Sequence, residues 1–534
     1  MLPKLLVARA LVCGLLGLLV VKAIVRRRLV VKRTSLELPL VAFLASAVLS
    51  TVLAYNPNVA LLGTYTRYDG LLTTLTYFAL FWLALQTLDG PGSARSLMRV
   101  LVASAYVVAL LAVVQSVHDS ALAGAFKPAF GTLGNQNVTG SFLAMVCPLA
   151  FMELATARSW GARLLGLNAL VLIGAALLLT LSRSSWLGVG AAALVLAAMG
   201  RGRFERFGLA AGLAAVGAVV LMIGVGTGRV AVEQRLISAL YPPAWGPRIH
   251  IWQDSVSLIS SRPLAGYGPD NFGLVYPRFQ TGKWAVDATG FELQIDKAHA
   301  ELLQVAATQG LIGLAACLLV LIAYVRAFWR GRRSELAVAL FAAWTGYEVT
   351  LQLNFTALGS AFPFWITAAA AVEVWEADAR PLVLKLPAAP RLRVVAVALT
   401  AAALAALAAV AVVLPYVADL ELLRSVQADF AGRRADAATP AATASALAPF
   451  ESVYAVEVGN LAFERGDWAG AASAYSTAAR LGTYNPRVYR NLALAERNLG
   501  RFAAALAAAR QAAALDRFDP ANQALVDQLD AQNS

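Results

Sequence analysis

Four arginines and one histidine are the side chains whose types and spacing suit a reaction on an anionic substrate: Arg67, Arg183, Arg248, Arg262 and His299. A guanidinium is a planar fork of donors that matches phosphate oxygens, a diphosphate above all. A histidine beside such a cluster can take the proton of a hydroxyl. Arg248-Ile-His-Ile-Trp252-Gln-Asp254 reads as the start of a helix, with Arg248 and Trp252 on one face and His250 and Asp254 on another. Arg262-Pro-Leu-Ala-Gly-Tyr-Gly-Pro-Asp-Asn-Phe272 is turn-rich, and Asp296-Lys-Ala-His299 closes the segment. Gly266 and Gly268 do not form a nucleotide loop, because no strand precedes them and no helix follows. No Asp-x-Asp pair accompanies them, so neither a metal nor a cofactor is expected. Blander readings compete: a histidine at a helix entrance is commonly a polar interface residue, and Arg183 suits an arginine reaching to lipid headgroups.

These residues need a membrane scaffold to position them. The 534-residue chain is 59% hydrophobic and 14% charged, too apolar for a soluble protein of this size. Apolar runs near 5–25, 37–55, 71–88, 97–117, 138–156, 163–181, 185–200, 207–226, 301–325, 335–353, 360–377 and 394–416 predict about twelve spans. The first run ends in Arg26-Arg27-Arg28, lacks a small-residue cleavage site, and reads as a span. Alternate loops are basic throughout, from Arg26–Arg33 to Arg380–Arg393, and account for much of the formal charge of +13. The positive-inside rule makes those loops cytoplasmic and turns the other set outward, with the long polar loop of about 227–300 and both termini. An outward N-terminus with almost no leader is unusual and leaves room for an upstream span. Basic residues on the outward side, Arg67, Arg183, Arg248 and Arg262, are then unexplained by topology. Nucleic-acid binding is excluded, because the positive charge sits in short loops and the part after Leu420 is near neutral. Cys13, Cys147 and Cys317 lie in apolar runs and offer neither a disulfide framework nor zinc spacing.

The chain divides at about residue 418. Residues 1–418 form the membrane part. Residues 419–534 are Ala-rich, amphipathic and charged, and repeat with a period of 34: Gly466 aligns with Gly500, Trp468 with Phe502, Pro486 with Pro520. This is the tetratricopeptide pattern, with clear units at 453–486 and 487–520 and a degenerate one at 419–452. Such a stack usually presents a concave surface to a protein partner; here it can instead pack on the long loop. The expected fold is therefore all-α, a polytopic transmembrane bundle with a large outward loop and a helical repeat module.

Five segments in order resemble the O-antigen ligase and polymerase superfamily of bacterial envelope proteins. They are Gly63-Thr-Tyr-Thr-Arg67-Tyr-Asp-Gly70, Gly131-Thr-Leu-Gly-Asn135-Gln-Asn137, Thr180-Leu-Ser-Arg183-Ser-Ser-Trp186, the pair Arg248-x-x-x-Trp252 and Arg262-Pro-Leu-x-Gly-x-Gly268, and His299-Ala-Glu-Leu-Leu-Gln304 followed by Gly310-Leu-Ile-Gly313. The resemblance spans roughly residues 35 to 380. It implies metal-independent glycosyl transfer on the outer face of the bacterial inner membrane, from a glycan on undecaprenyl diphosphate. The implied acceptor is lipid A-core in ligases, a second lipid-linked glycan in polymerases, or a protein hydroxyl in the protein-glycosylating branch. Carried over by motif, Arg183 and Arg248 bind and stabilise the diphosphate leaving group, and His299 activates or orients the acceptor hydroxyl. Arg67, Asn135, Asn137, Trp252 and Arg262 are the implied substrate contacts. Ala300 departs from the pattern, since the family often carries Asn after the motif histidine.

Two non-enzyme readings stand beside this one. A lipid-glycan transporter would carry its ionisable residues along a mid-membrane path, whereas here they cluster outside the spans. An inactive scaffold assembling envelope machinery through its repeats would not need Arg183, Arg248 and His299 intact.

Overall fold

The computed structural model describes residues 2–123, 126–200, 246–283, 294–377, 381–385 and 390–533. The expected span 207–226, the basic loop Arg201–Arg206 and two parts of the long loop, 227–245 and 284–293, lie outside the described residues.

The other eleven expected apolar runs are helices. In chain order they are α1 (Leu2–Val25), α2 (Glu37–Val52), then a short α3 (Pro57–Leu62), α4 (Leu71–Thr87), α5 (Pro91–Ala123), α6 (Gln136–Thr156), α7 (Trp160–Leu179) and α8 (Arg183–Met199). After the polar-loop helix α9 (Gly246–Ser261) come α10 (Glu301–Gly331), α11 (Glu335–Leu351), α12 (Leu358–Trp375) and α13 (Pro390–Ala408). Seven described helices are long and apolar enough to cross a membrane by length and composition, against the twelve expected. Shorter apolar helices, α2, α4 and α8 among them, accompany these. Large apolar side chains such as Leu18, Val41, Val100 and Leu165 lie exposed on the bundle's rim, as a lipid-facing surface requires.

Successive helices alternate in direction. The starts of α4, α6, α8, α10 and α12 gather with the ends of α2, α7 and α11 at one end, which carries His299. Small residues let the backbones approach. At Gly140 of α6 an added Cβ would fall 2.3 Å from Ser185 Oγ of α8, and at Gly188 of α8 2.3 Å from the Gly346 carbonyl of α11. The main interior cluster between these helices is alanine-rich, with Ala105, Ala109, Ala144, Ala343 and Ala370 all buried.

One irregularity joins two sequence motifs. Helix α10 breaks at Gly310, whose φ is +68°. A Cβ there would lie 2.1 Å from the Leu264 carbonyl oxygen. The break frees backbone groups that would be costly to leave unpaired within a membrane domain. The 263–268 turn satisfies them: Gly268 N donates to the Thr308 carbonyl (2.8 Å), Tyr267 N to Ala307 (3.2 Å), and Leu311 N to the Pro263 carbonyl (2.7 Å). The Gly-x-Gly element therefore docks into a helix break.

A two-stranded antiparallel pair, β1 (Arg28–Val31) with β2 (Leu382–Lys385), is a small addition to the expected all-helical fold. Both are short runs of branched aliphatic residues at the opposite end of the bundle, long enough to pair but too short for a helix turn of useful length.

Beyond α13 the chain stays helical through a π-turn at Ala409–Val413 into α14 (Leu414–Phe430). Position 418/419 thus falls inside continuous helix. Then follow α15 (Arg434–Leu447), α16 (Ser452–Glu464), α17 (Trp468–Leu481), α18 (Pro486–Asn498), α19 (Phe502–Leu515) and α20 (Pro520–Asn533), each packed on the next. Gly466 and Gly500 occupy the α16–α17 and α18–α19 turns, both at φ +74°, where a side chain would be strained.

Candidate functional site

The site is built on the segment from Asp296 to Glu301, which is held at nearly every residue. Asp296 receives a two-pronged ion pair from Arg67, Nε to Oδ2 at 2.6 Å and Nη2 to Oδ1 at 2.9 Å. Lys297, with its side chain 1% exposed, lies between Asp69 Oδ2 (2.6 Å) and Asp270 Oδ1 (3.1 Å). Burial works against its ammonium, and the carboxylates of Asp270 and Asp69 outweigh that, holding its pKa above the ordinary lysine value. Ala298 N donates to Gln304 Oε1 (2.8 Å), and its carbonyl accepts from Trp252 Nε1 (3.0 Å). Glu301 accepts from Thr356 N (2.8 Å).

His299 sits in the middle of this clamp with φ +53°, a left-handed conformation that costs a residue with a Cβ about 1–3 kcal/mol. Its ring packs edge-on against Phe355, centroids 5.3 Å apart, and the Arg67 guanidinium lies 4.6 Å from the centre of the same phenyl ring. Nδ1 is buried with no hydrogen-bond partner among the described residues. Burial first, then the positive charge of Arg248, push the imidazole pKa down to about 4; Asp296 opposes the shift. The ring is therefore neutral at pH 7 and carries a lone pair.

The other expected residues fall into two groups. Helix α9 forms where the sequence placed it, and the Trp252 bond to Ala298 sets its first turns, with Arg248, against the His299 segment. Arg183 opens α8 directly after Ser182. Ser182 and Ser185 hydroxyls pair at 2.9 Å, and Ser185 packs on Gly140 of α6. The same first turn of α6 carries Val138, which packs on Phe355. Arg183 thus stands at the same end as His299, linked through α6 and Phe355.

Two of the expected substrate contacts, Asn135 and Arg262, also have local partners. Asn135 caps α6, its Oδ1 accepting from Asn137 N (2.8 Å) and Val138 N (3.2 Å), and Asn137 lies in that helix's first turn. Arg262 follows the far end of α9, about 20 Å along the helix from Arg248 at 1.5 Å per residue. It donates to the Leu53 carbonyl (3.1 Å) and lies over Tyr267. It ties the turn to α2 and is set apart from His299. Sequence reasoning missed Asp296 as the partner of Arg67, the Lys297–Asp69–Asp270 group and Phe355. For the charged ones a signal existed: Asp69, Asp270 and Lys297 lie within or beside the motifs. Phe355, in a short turn between two spans, gave none.

The C-terminal helices cover this end. Tyr484 Oη lies 3.0 Å from Thr66 Oγ1, Gln294 Nε2 donates to the Tyr484 carbonyl (2.6 Å), and Asn58 Nδ2 to the Leu481 carbonyl (2.9 Å). Arg517 donates to the Gln280 carbonyl, and Tyr65 to Asp419 of α14. A cavity of about 150 Å³ is lined by Asp69, Asp270, Lys297, Glu301 and Glu348 together with apolar side chains such as Leu40 and Phe364. No cluster of metal-ligating side chains occurs among the described residues.

No curated protein matches the chain. Residues 168–318, from α7 into α10 with Arg183, Arg248 and His299 among them, match the O-antigen ligase family model, which supports placing the chain in that ligase/polymerase-like superfamily of membrane glycosyltransferases.

Proposed function

We propose that the chain transfers a glycan from an undecaprenyl diphosphate carrier to an acceptor hydroxyl, at the outer face of the bacterial inner membrane. The observation that carries this reading is His299, a neutral imidazole held in a strained backbone, with Arg248 and Arg67 close enough to act on it. In the proposed reaction the bond between the anomeric carbon and the diphosphate oxygen breaks. The acceptor oxygen bonds to that carbon, and the acceptor proton passes to His299. Undecaprenyl diphosphate departs with the electron pair. Arg248 and Arg183 stabilise the charge that develops on it, as fixed donors at a leaving group do. Arg67, already paired to Asp296, holds the acceptor side in place.

A bound diphosphate would also offset the positive field of Arg248 and draw the His299 pKa back toward its ordinary range, making it a better base with substrate present than without. The basic alternate loops support the outward orientation of this end. The C-terminal helical pairs, with glycines at equivalent turns, suit tetratricopeptide units at 453–486 and 487–520.

The test is reconstitution in liposomes with undecaprenyl-diphosphate-linked glycan, with and without lipid A-core, and products resolved by mass. Glycan on lipid A-core identifies a ligase, and longer lipid-linked glycan identifies a polymerase. Transfer only to an added protein identifies the protein-glycosylating reaction. No transfer to any of the three, beside an active control enzyme, contradicts the proposal.

A further inference from the structure

Between the bundle and the C-terminal helices lies a second, larger cavity of about 700 Å³, inside the range of about 300–1,000 Å³ usual for small-ligand sites. One wall is the turn after α3, with Thr64 and Thr66; the other is the start of α16 and the α17–α18 connection. It exists only because the helical module is docked on the bundle. Its lining mixes hydroxyl, amide, carboxylate and guanidinium groups with the rings of Tyr484 and Phe450. Arg490 and Asp519 on that wall already pair with each other at 3.3 Å, so the cavity presents both signs of charge with neither dominating.

Its position matters as much as its chemistry. Tyr484 and Thr66, joined at 3.0 Å, form its wall on the side of the His299 site. Thr66 immediately precedes Arg67, which pairs with Asp296. Gln294, two residues before Asp296, lines the same wall and is bonded to the Tyr484 backbone.

We propose that this interdomain cavity is an oligosaccharide-binding subsite, holding sugar residues of a glycan whose reacting end lies at His299. Alternating hydrogen-bond donors and acceptors suit the vicinal hydroxyls of sugars, and aromatic rings suit their C–H faces. A phosphate-rich ligand would call for a predominantly cationic lining, and a lipid tail for an apolar one. The class of ligand rests on the glycosyl-transfer reading; the subsite gives the helical module a role in substrate length or identity beyond recruiting another protein.

The experiment uses the full chain in lipid nanodiscs and a defined array of short, lipid-free bacterial surface oligosaccharides. The wild-type chain retains at least one of them. Ser452→Trp, which fills the cavity from the first turn of α16, lowers retention about tenfold or more, and Arg487→Ala, which removes a lining donor without adding bulk, lowers it several-fold. Thermal unfolding of each variant within a few degrees of wild type shows that the fold is intact. No retained glycan, retention unchanged in both folded variants, or displacement by peptides in place of sugars overturns the proposal. Binding is read without turnover. Pocket-dependent binding with no transfer therefore removes the enzymatic reading alone, and transfer with pocket-independent binding removes the subsite alone.

Discussion

The two ends of the helical bundle handle charge in opposite ways. At the end away from His299, cations meet carboxylates in simple pairs: Lys32 with Glu373 at 2.7 Å, and Arg95 and Arg99 both with Glu153 at 3.1 and 3.0 Å. The Arg99 side chain is 58% exposed, and such a pair is worth about 0–1 kcal/mol. At the His299 end a lysine is fully enclosed by two aspartates, an arginine is locked two-pronged on a third, and a histidine among them stays uncharged. Charges are ordinarily buried only at a cost, and their concentration at this end is what marks it as the candidate site. The contrast also separates arginines by what surrounds them, which counting them cannot do.

The comparison breaks first on catalysis. His299→Ala is expected to lower transfer by about 10²–10⁴-fold, and Arg248→Ala by about 10²–10³-fold, with thermal unfolding little changed. Arg99→Ala at the opposite end should leave turnover within about twofold, since it removes only a solvent-exposed pair. Equal losses from Arg99→Ala and Arg248→Ala, measured as kcat/KM in liposomes, would erase the distinction between the ends.

Stability sharpens it next. Lys297→Met leaves Asp69 and Asp270 without their shared cation, and an uncompensated buried charge costs about 3–5 kcal/mol. Lys32→Met, removing a more exposed partner of Glu373, should cost less, and the two Tm values in the same detergent check the order. Gly310→Ala, forced to φ +68° and against the Leu264 carbonyl, should cost about 1–3 kcal/mol, read as a lowered Tm.

A further effect is a pH slope. The unfolded His299 imidazole takes a proton near pH 6.5, while the folded one does so only near pH 4. Across that window the unfolded state binds more protons, so stability falls as pH falls from about 6.5 to about 4. His299→Gln should remove that part of the slope in thermal unfolding scans taken across the window.

The sequence made the helices, their alternation and the order of the motifs legible, because apolar run length and loop charge act locally. It also placed Arg248 and Trp252 on one helix face. What it could not show depends on contacts between distant segments. Arg67 reads as an unexplained outward cation until Asp296 is seen to hold it. Asn135 enters the sequence reading through its motif alone, and its role as the cap of α6 shows only once the helix start is placed. Arg262 shares a motif with Arg248, yet the length of α9 carries it away. The Gly310 break and the Gly266–Gly268 turn are two motifs explained only by each other. The β1–β2 pair joins residues some 350 positions apart, beyond any local pattern.

The most direct test of the central claim compares wild type, His299→Ala and Arg99→Ala in one reconstituted system. Each is supplied with undecaprenyl-diphosphate-linked glycan and an acceptor, and release of undecaprenyl diphosphate is followed with formation of the joined product. Coupled release and product are expected with wild type and Arg99→Ala, and both at least about 10²-fold slower with His299→Ala. Wild-type rates from His299→Ala would contradict the claim.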